Sequence, residues 1–596
     1  MSKRFFAYLI IAAGFIFMLS VSWLKWGNIL IDTYRDPYVA GKILNGAVLY
    51  KDIGYEMGPL TPYLLAFIAK IFGIGIYTFV GCGIVLTILM VVLIYRISRL
   101  FLSRLACVEI ILIFLMLFAI REHSHGDMCN SIIPYSFAMA IYVFFNAAAL
   151  YCLLKFILTD KRLYIKMWVV FIIFSFLARP VMSLPTWLGF SLVLSIFGWR
   201  HSWHRCGNFF VVAIIPFGIS VIVYFIYFFN TGTFSFFRET VFGMAKLSYI
   251  YKNEMGIYNL PDSLKKILFS FIWEVGAAFF IACFSVCFAY RSRLKKRVAA
   301  FFIPLSACIV FCSFMFYKNN DHGYYLYASL PLVVAAGVPI YFFRMLHRRQ
   351  WKNDFALFAI FIFSLFVSNR IMLHTYFTSA SSGLLFSSLV CYFIFLLKTS
   401  RIIFSPLLSN KSSLFFYRII MMSFLICMPI VPIRRSLENF ADKTKLIINK
   451  TTGNKIFLYP SRDTDVLIQL FNYIAAHTIR KDTLTVVPEG IGINYFLHRD
   501  SPVKYYHVNP GFLENIGEGK IINEFSKNRP DFIAIVEQDA RGYGKSFFGK
   551  DYGVGLDKWI KKNYTLEKVF GIYPYNTKEF GAALYRKNQT FGKELK

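Results

Sequence analysis

Long apolar runs separated by short polar loops fill the chain up to about residue 433, and this pattern predicts a bundle of membrane-crossing helices. Runs lie near 5–26, 75–97, 105–120, 132–157, 166–178, 182–198, 209–229, 267–290, 298–316, 324–343, 355–369, 383–398 and 416–433. Crossing the hydrocarbon takes about 20 mostly apolar residues, so about thirteen spans are expected. From residue 434 to 596 the pattern changes: charges become dense, Gly, Asn and Asp punctuate, and apolar runs shorten to strand length. Helices are expected near 463–479, 514–527 and 553–562, and strands near 483–487, 531–536, 564–570 and 580–586. Such alternation predicts a separate α/β domain. The expected fold class is therefore a polytopic α-helical membrane protein, residues 1–433, followed by a C-terminal extracytoplasmic α/β domain, residues 434–596.

Composition agrees with the pattern. Of 596 residues, 57% are hydrophobic and 16% charged, which excludes an ordinary soluble protein. The net charge of +32 would suit a nucleic-acid partner, but the basic residues are gathered in alternate short loops rather than on one face. Arg96, Arg99 and Arg104 form one such loop; Lys161 and Arg162, Arg200 and Arg205, Arg291 to Arg297, Arg344 to Lys352, and Lys398 to Arg418 hold the others. The positive-inside rule makes that side cytoplasmic, together with Ser2-Lys3-Arg4. The first loop and the C-terminal region then face outward from a cell inner membrane, into the periplasm in a Gram-negative cell. The first apolar run is long for a signal peptide and ends in an interfacial Trp23 to Trp26, so an uncleaved helix is expected. No cysteine follows Cys427, and Cys283, Cys287, Cys308 and Cys312 read as small core residues.

Candidate chemistry concentrates in the first outer loop, residues 27–63, which carries Asp32, Arg35, Asp36, Asp52 and Glu56 directly after the first helix. Charges crowded against a membrane face are costly and usually serve a site. Asp36 before Pro37 also fits an N-cap ahead of an N1 proline. Gly490-Ile491-Gly492 lacks the third glycine of a dinucleotide site and reads as a helix start. His123, His125 and Asp127 read as a solvated loop in preference to a metal site, and Glu274 as either a group paired inside the bundle or an acceptor contact. Arg238, Lys246, Tyr249, Tyr251 and Lys252 read as contacts to lipid head groups or to donor phosphate, or as markers of the interface alone.

The order Asp32-x-x-Arg35, Gly46-x-x-x-Tyr50-x-Asp52 and Gly58-Pro59-Leu60 leading into Pro62-Tyr63 resembles bacterial GT-C glycosyltransferases of the family 39 type, relatives of protein mannosyltransferases and lipid A aminoarabinose transferases. Pro134-Tyr135, Ala178-Arg179-Pro180, Asp321 to Tyr325, Leu330-Pro331-Leu332, Val487-Pro488-Glu489-Gly490, Asn494-Tyr495, Arg529-Pro530-Asp531 and Asp551-Tyr552-Gly553 extend the resemblance over nearly the whole chain. It implies transfer of a sugar from a polyprenyl-phosphate donor to a lipid, glycan or protein acceptor, with Asp32 as the matching catalytic carboxylate. A base must take the proton of the attacking hydroxyl, and partial burial would raise the pKa of such a carboxylate. Asp52 and Asp36 are the further catalytic candidates, with Glu56 a substrate contact. The departing phosphate needs a cation, for which Arg35, Arg179, Lys318, Arg238 and His322 are available. The aminoarabinose transferases place a lysine ahead of their Pro-Pro-Leu; this chain has Met57-Gly58-Pro59-Leu60. No cofactor is required by any motif, although the acidic loop is compatible with a divalent cation such as Mg or Mn. A surface-polysaccharide polymerase or ligase, and a flippase for lipid-linked sugars, are the alternatives.

Overall fold

A computed structural model describes residues 3–122, 130–201, 203–243, 329–348, 351–372, 385–404, 410–427, 429–575 and 579–588, with Leu408 and separate positions between 268 and 286. Lys318, His322, His123, His125, Asp127, Glu274, Cys287, Cys308, Cys312, Lys246, Tyr249, Tyr251 and Lys252 lie outside the described residues.

The first half is helical: α1 (Lys3–Val21), α2 (Arg35–Leu44), α3 (Leu60–Phe72), α4 (Ile76–Ser98), α5 (Arg104–Phe114), α6 (Phe137–Thr159), α7 (Arg162–Ala178), α8 (Pro180–His201) and α9 (Trp203–Thr231). Then come α10 (Leu330–His347), α11 (Trp351–Met372), α12 (Phe386–Ile394), α13 (Lys411–Cys427) and α14 (Ile430–Asp442). Among the described residues, six helices are long and apolar enough to cross a membrane: Ile76–Ser98, Phe137–Thr159, Pro180–His201, Gly207–Thr231, Leu330–His347 and Phe386–Ile403. Phe5–Val21 and Leu60–Phe72 are apolar but shorter. The second of these was absent from the expected runs, because Thr61, Pro62 and Lys70 interrupt its apolar stretch.

Exposed apolar side chains fit the membrane reading. Val85, Ile88, Phe225, Ile226 and Phe229 project outward from α4 and α9, as lipid-facing residues do. The helix α6 is instead enclosed by its neighbours, with Ala147, Ala149 and Leu150 fully buried. It packs on α7 along its length and also against α4 and α11. Gly83 allows a close approach: a Cβ there would lie 1.9 Å from the Ile132 carbonyl just ahead of α6.

Helix α14 runs through residue 434, so the α/β elements begin only at β1 (Lys445–Ile448). An unforeseen antiparallel pairing joins β1 to β2 (Lys455–Leu458). The remaining elements are α15 (Arg462–His477), β3 (Leu484–Val487), α16 (Ile491–Leu497), α17 (Pro510–Ile516), α18 (Glu518–Lys527), β4 (Phe532–Val536), α19 (Val554–Asn563), β5 (Tyr564–Gly571) and β6 (Gly581–Lys587). The sheet order is β3-β4-β6-β5. β3 and β4 run parallel, as a helical crossover requires, while β6 is antiparallel to β4 and β5. The Ser461 side chain accepts the Thr464 N–H and starts α15, and Ile491 opens α16 just after Gly490. The helix expected near 514–527 is two, broken at Gly517, whose φ of +90° suits glycine.

This α/β layer is seated on α2 and the loop that follows it. Tyr38 Oη accepts the Ser501 N–H at 2.8 Å, and the Gly54 N–H donates to the Lys504 carbonyl at 2.9 Å. Lys443 and Glu122 form a buried pair at 2.8 Å, and Lys443 Nζ also donates to the Lys25 carbonyl at 2.7 Å.

Candidate active site

The site begins where α1 gives way to a 3-10 turn, Asp32–Tyr34, that leads into α2. Tyr34 anchors this turn: its ring stacks on Tyr495 at 5.6 Å, meets Phe496 edge-on at 4.9 Å, and its hydroxyl donates to the Trp26 carbonyl. Pro37 stands in the first turn of α2, where its missing N–H costs nothing. Arg35 and Asp36 are thereby carried inward, each only 1% exposed.

One guanidinium gathers three carboxylates. Arg35 Nη1 lies 3.0 Å from Asp32 Oδ2 and 3.9 Å from Glu56 Oε2, and its Nε lies 3.6 Å from Asp36 Oδ1. Opposite stands His507, 4% exposed, supplied by the segment between α16 and α17. Its Nε2 is 2.5 Å from Glu56 Oε1 and its Nδ1 is 3.6 Å from Asp32 Oδ1. Phe512 and Tyr506 close over the imidazole edge-on, each at 4.6 Å.

Asp32 also accepts the Tyr135 hydroxyl at 2.6 Å. Burial by itself would raise its carboxyl pKa. The adjoining Arg35 charge, with His507 and the Tyr135 hydroxyl, more than offsets this and holds the carboxyl well below the usual carboxylate range. The expectation that burial would raise Asp32 is therefore corrected: the ion pairs outweigh the desolvation. The same ion pairs move His507 the other way. Burial opposes its charge, but Glu56 and Asp32 together push it up to about 10.

Asp36 is not an N-cap of its own helix; that place belongs to Tyr34. Its Oδ2 instead accepts the N–H groups of Phe137 at 2.5 Å and Ala138 at 3.4 Å, at the start of α6. The Tyr55 hydroxyl donates to Oδ1 at 2.7 Å. A carboxylate suits that place, since helix N-termini carry unpaired N–H groups and partial positive charge. Asp52 is exposed and closes a turn by accepting the Val48 N–H at 2.7 Å; among the described residues it joins none of the cluster's ion pairs.

Glu489 is the fourth carboxylate of the cluster, offered by the loop between β3 and α16. Its oxygens accept Asn509 Nδ2 at 2.9 Å and Gln538 Nε2 at 2.8 Å. Burial first, and then the neighbouring Asp32 charge, raise its pKa. Sequence reading passed over Glu489 as a site residue, although it quoted the Pro-Glu-Gly in which it sits. His507, a lone histidine in a polar stretch, offered no signal.

Two residues beyond Glu56 the loop reaches the membrane helices. The Gly58 N–H donates to the Ala178 carbonyl at 3.0 Å. A Cβ on Gly58 would lie 2.1 Å from the Leu177 carbonyl and 2.7 Å from the Tyr224 hydroxyl, so glycine is required there. Arg179, half-buried, follows Ala178 at the break between α7 and α8. Beside it opens an apolar cavity of about 620 Å³, lined by Phe176, Pro180, Leu184, Phe217, Ser220 and Tyr224 among others. Arg238 lies in a helical turn, Arg238–Gly243, whose Glu239 carbonyl accepts Asn515 Nδ2 at 2.8 Å.

With its carboxylates ionised the cluster sets four negative charges against the two of Arg35 and His507. Such a site favours positive charge developing on a bound substrate. Three of the carboxylates are engaged by N–H or O–H donors, Asp36 by the start of α6, Asp32 by Arg35 and Tyr135, and Glu489 by two amides. Among the described residues no three His, Cys, Asp or Glu side chains converge as metal ligands would.

No protein family and no curated protein matches the sequence. Solved structures do. ArnT from Cupriavidus metallidurans bound to undecaprenyl phosphate superimposes with a TM-score of 0.50 at 11% identity, over 98% of each chain. The oligosaccharyltransferase of Archaeoglobus fulgidus with Zn and sulfate matches with a TM-score of 0.45 at 12% identity, over 88% of this chain and 68% of that one. Both are GT-C superfamily glycosyltransferases, and the ArnT match shows that this chain has the GT-C membrane fold.

Proposed function

We propose that this protein is an integral-membrane glycosyltransferase that moves a sugar from a polyprenyl-phosphate donor to a lipid, glycan or protein acceptor outside the inner membrane. The C-terminal α/β region, residues 434–596, would lie on that outer side, and about thirteen spans would form the membrane half. The observation that carries this reading is the junction at Gly58. The chain passes there, within three residues, from a charged cluster at Glu56 to the wall of an apolar cavity at Phe176, Pro180 and Tyr224. A donor with an apolar tail, a phosphate and a sugar has that same succession of chemistries. Undecaprenyl phosphate, which ArnT was crystallised with, is the kind of molecule meant.

In this reading the polyprenyl chain occupies the cavity, whose volume falls in the range of ligand pockets. Arg179, at the break beside it, faces the phosphate and stabilises the charge that the departing oxygen gains. The sugar lies over Asp32. As the bond from the anomeric carbon to phosphate oxygen lengthens, positive charge grows on the ring, and the fixed negative charge of Asp32 stabilises it. Arg35 and Tyr135 hold that carboxylate in place. Asp36, with its acceptor sites filled by α6 and Tyr55, positions Arg35 and the loop instead of reacting. Asp52 falls outside the reaction.

The test is transfer of radiolabelled sugar by the purified full chain, from a panel of polyprenyl-phosphate pentoses and hexoses into a membrane-lipid and polysaccharide extract. Labelled product with release of polyprenyl phosphate is the expected result. Movement of intact donor across vesicles without transfer would replace this reading with a flippase.

A further inference from the structure

Glu489 stands on a loop that has little freedom. Its neighbour Gly490 has a φ of +155°, and a Cβ there would lie 2.3 Å from Val486, so the turn out of β3 is set by glycine. The Val508 N–H donates to the Pro488 carbonyl at 2.8 Å, tying this loop to the segment that carries His507. Asn509 binds Glu489 through Nδ2 while its Oδ1 accepts the Phe512 N–H and caps α17. Gln538, just past β4, holds the other oxygen. The carboxylate is thus held by Asn509 and Gln538, near enough to Asp32 and Tyr135 for their charges to act on one another, and it is half-buried.

Asp32 is a poor proton acceptor. It already takes a hydrogen bond from Tyr135 and an ion pair from Arg35, with His507 close by. Glu489 is bound only by neutral amides, and no arginine, lysine or histidine lies in hydrogen-bond contact with it among the described residues.

Building on the glycosyltransferase reading, we infer that Glu489 is the general base of the reaction, while Asp32 acts as the fixed negative charge beneath the sugar. The acceptor hydroxyl oxygen bonds to the anomeric carbon, the bond from that carbon to the donor phosphate breaks, and the phosphate leaves with the electron pair. The hydroxyl proton passes to a carboxylate oxygen of Glu489 and from there to water. Burial and the nearby Asp32 charge raise the Glu489 carboxyl, which makes it the stronger base of the pair. The C-terminal region then supplies a reacting group and does more than cover the membrane half.

The experiment compares wild type, Glu489→Gln and Glu489→Asp in the transfer assay across pH, with undecaprenyl phosphate binding measured separately by its effect on thermal stability. Glu489→Gln is expected to lower kcat about a hundredfold or more, remove the acid limb of the kcat profile, and leave the donor KM and undecaprenyl phosphate binding near wild type. Glu489→Asp restores part of kcat together with the acid limb. Wild-type transfer with an unchanged rate or an unchanged acid limb in Glu489→Gln would overturn the assignment of the base alone. Absence of wild-type transfer from every donor would overturn the glycosyltransferase reading and the base with it.

Discussion

Asp32 and His507 hold each other's charge, and the consequence appears in stability. The folded pKa of His507 is raised from 6.5 to about 10, so the protonated ring is favoured in the native state. Its contribution is therefore complete below pH 6.5 and is lost as pH rises through about 10. Thermal unfolding in detergent is expected to show wild type losing stability over that window, and His507→Gln starting lower but losing less. A wild-type melting curve with no alkaline decline in that window would contradict the ion pairing. Asp32→Asn leaves the hydrogen bond to Tyr135 available but removes the shortest ion pair of the buried Arg35, so it is expected to fold with a lowered melting temperature.

At the scale of elements, the proposed function gives Asp36 a supporting part and the α8–α9 cavity the donor tail, and the two are separable by mutation. Asp36→Ala strips the first N–H groups of α6 and one partner of the buried Arg35. Unsatisfied buried donors and an uncompensated buried charge make the loss on the order of 3 kcal/mol, visible as a lowered melting temperature before any assay. Leu184→Trp places a large ring in the cavity. It is expected to raise the KM for a long-chain donor about tenfold, which is about 1.4 kcal/mol, with kcat and melting temperature near wild type. If a long-chain donor shows an unchanged KM, its tail lies elsewhere.

For the whole molecule, the proposed site exists only while the C-terminal region is docked on the first loop, as the His507 contacts to Asp32 and Glu56 show. Lys443→Met leaves Glu122 without its buried lysine, a change of about 3–5 kcal/mol, and is expected to loosen the α/β region, measured as increased protease cleavage between α14 and β1. Among the described residues, the six helices long enough to cross a membrane were legible because each carries its own signal in hydropathy, whereas α3 was not, since Thr61, Pro62 and Lys70 interrupt its apolar stretch. The C-terminal elements were legible likewise, from Ser461 ahead of α15 to the apolar β4. The gathering of charge at Asp32, Arg35, Asp36 and Glu56 was visible because four of its members share one short segment. Its completion was not: Glu489 and His507 lie more than 400 residues away, and nothing local marks a carboxylate that tertiary packing will bring beside Asp32. The inward turn of Asp36 was hidden for the same reason, since its partners Phe137 and Ala138 belong to another helix.

The most direct measurement is the transfer rate of wild type beside Asp32→Asn, at matched folding, from whichever polyprenyl-phosphate sugar the wild type uses. Removal of the fixed charge beneath the sugar predicts a fall in kcat of about a hundredfold or more with donor affinity retained. A variant that transfers sugar at the wild-type rate would contradict a reacting centre built on Asp32.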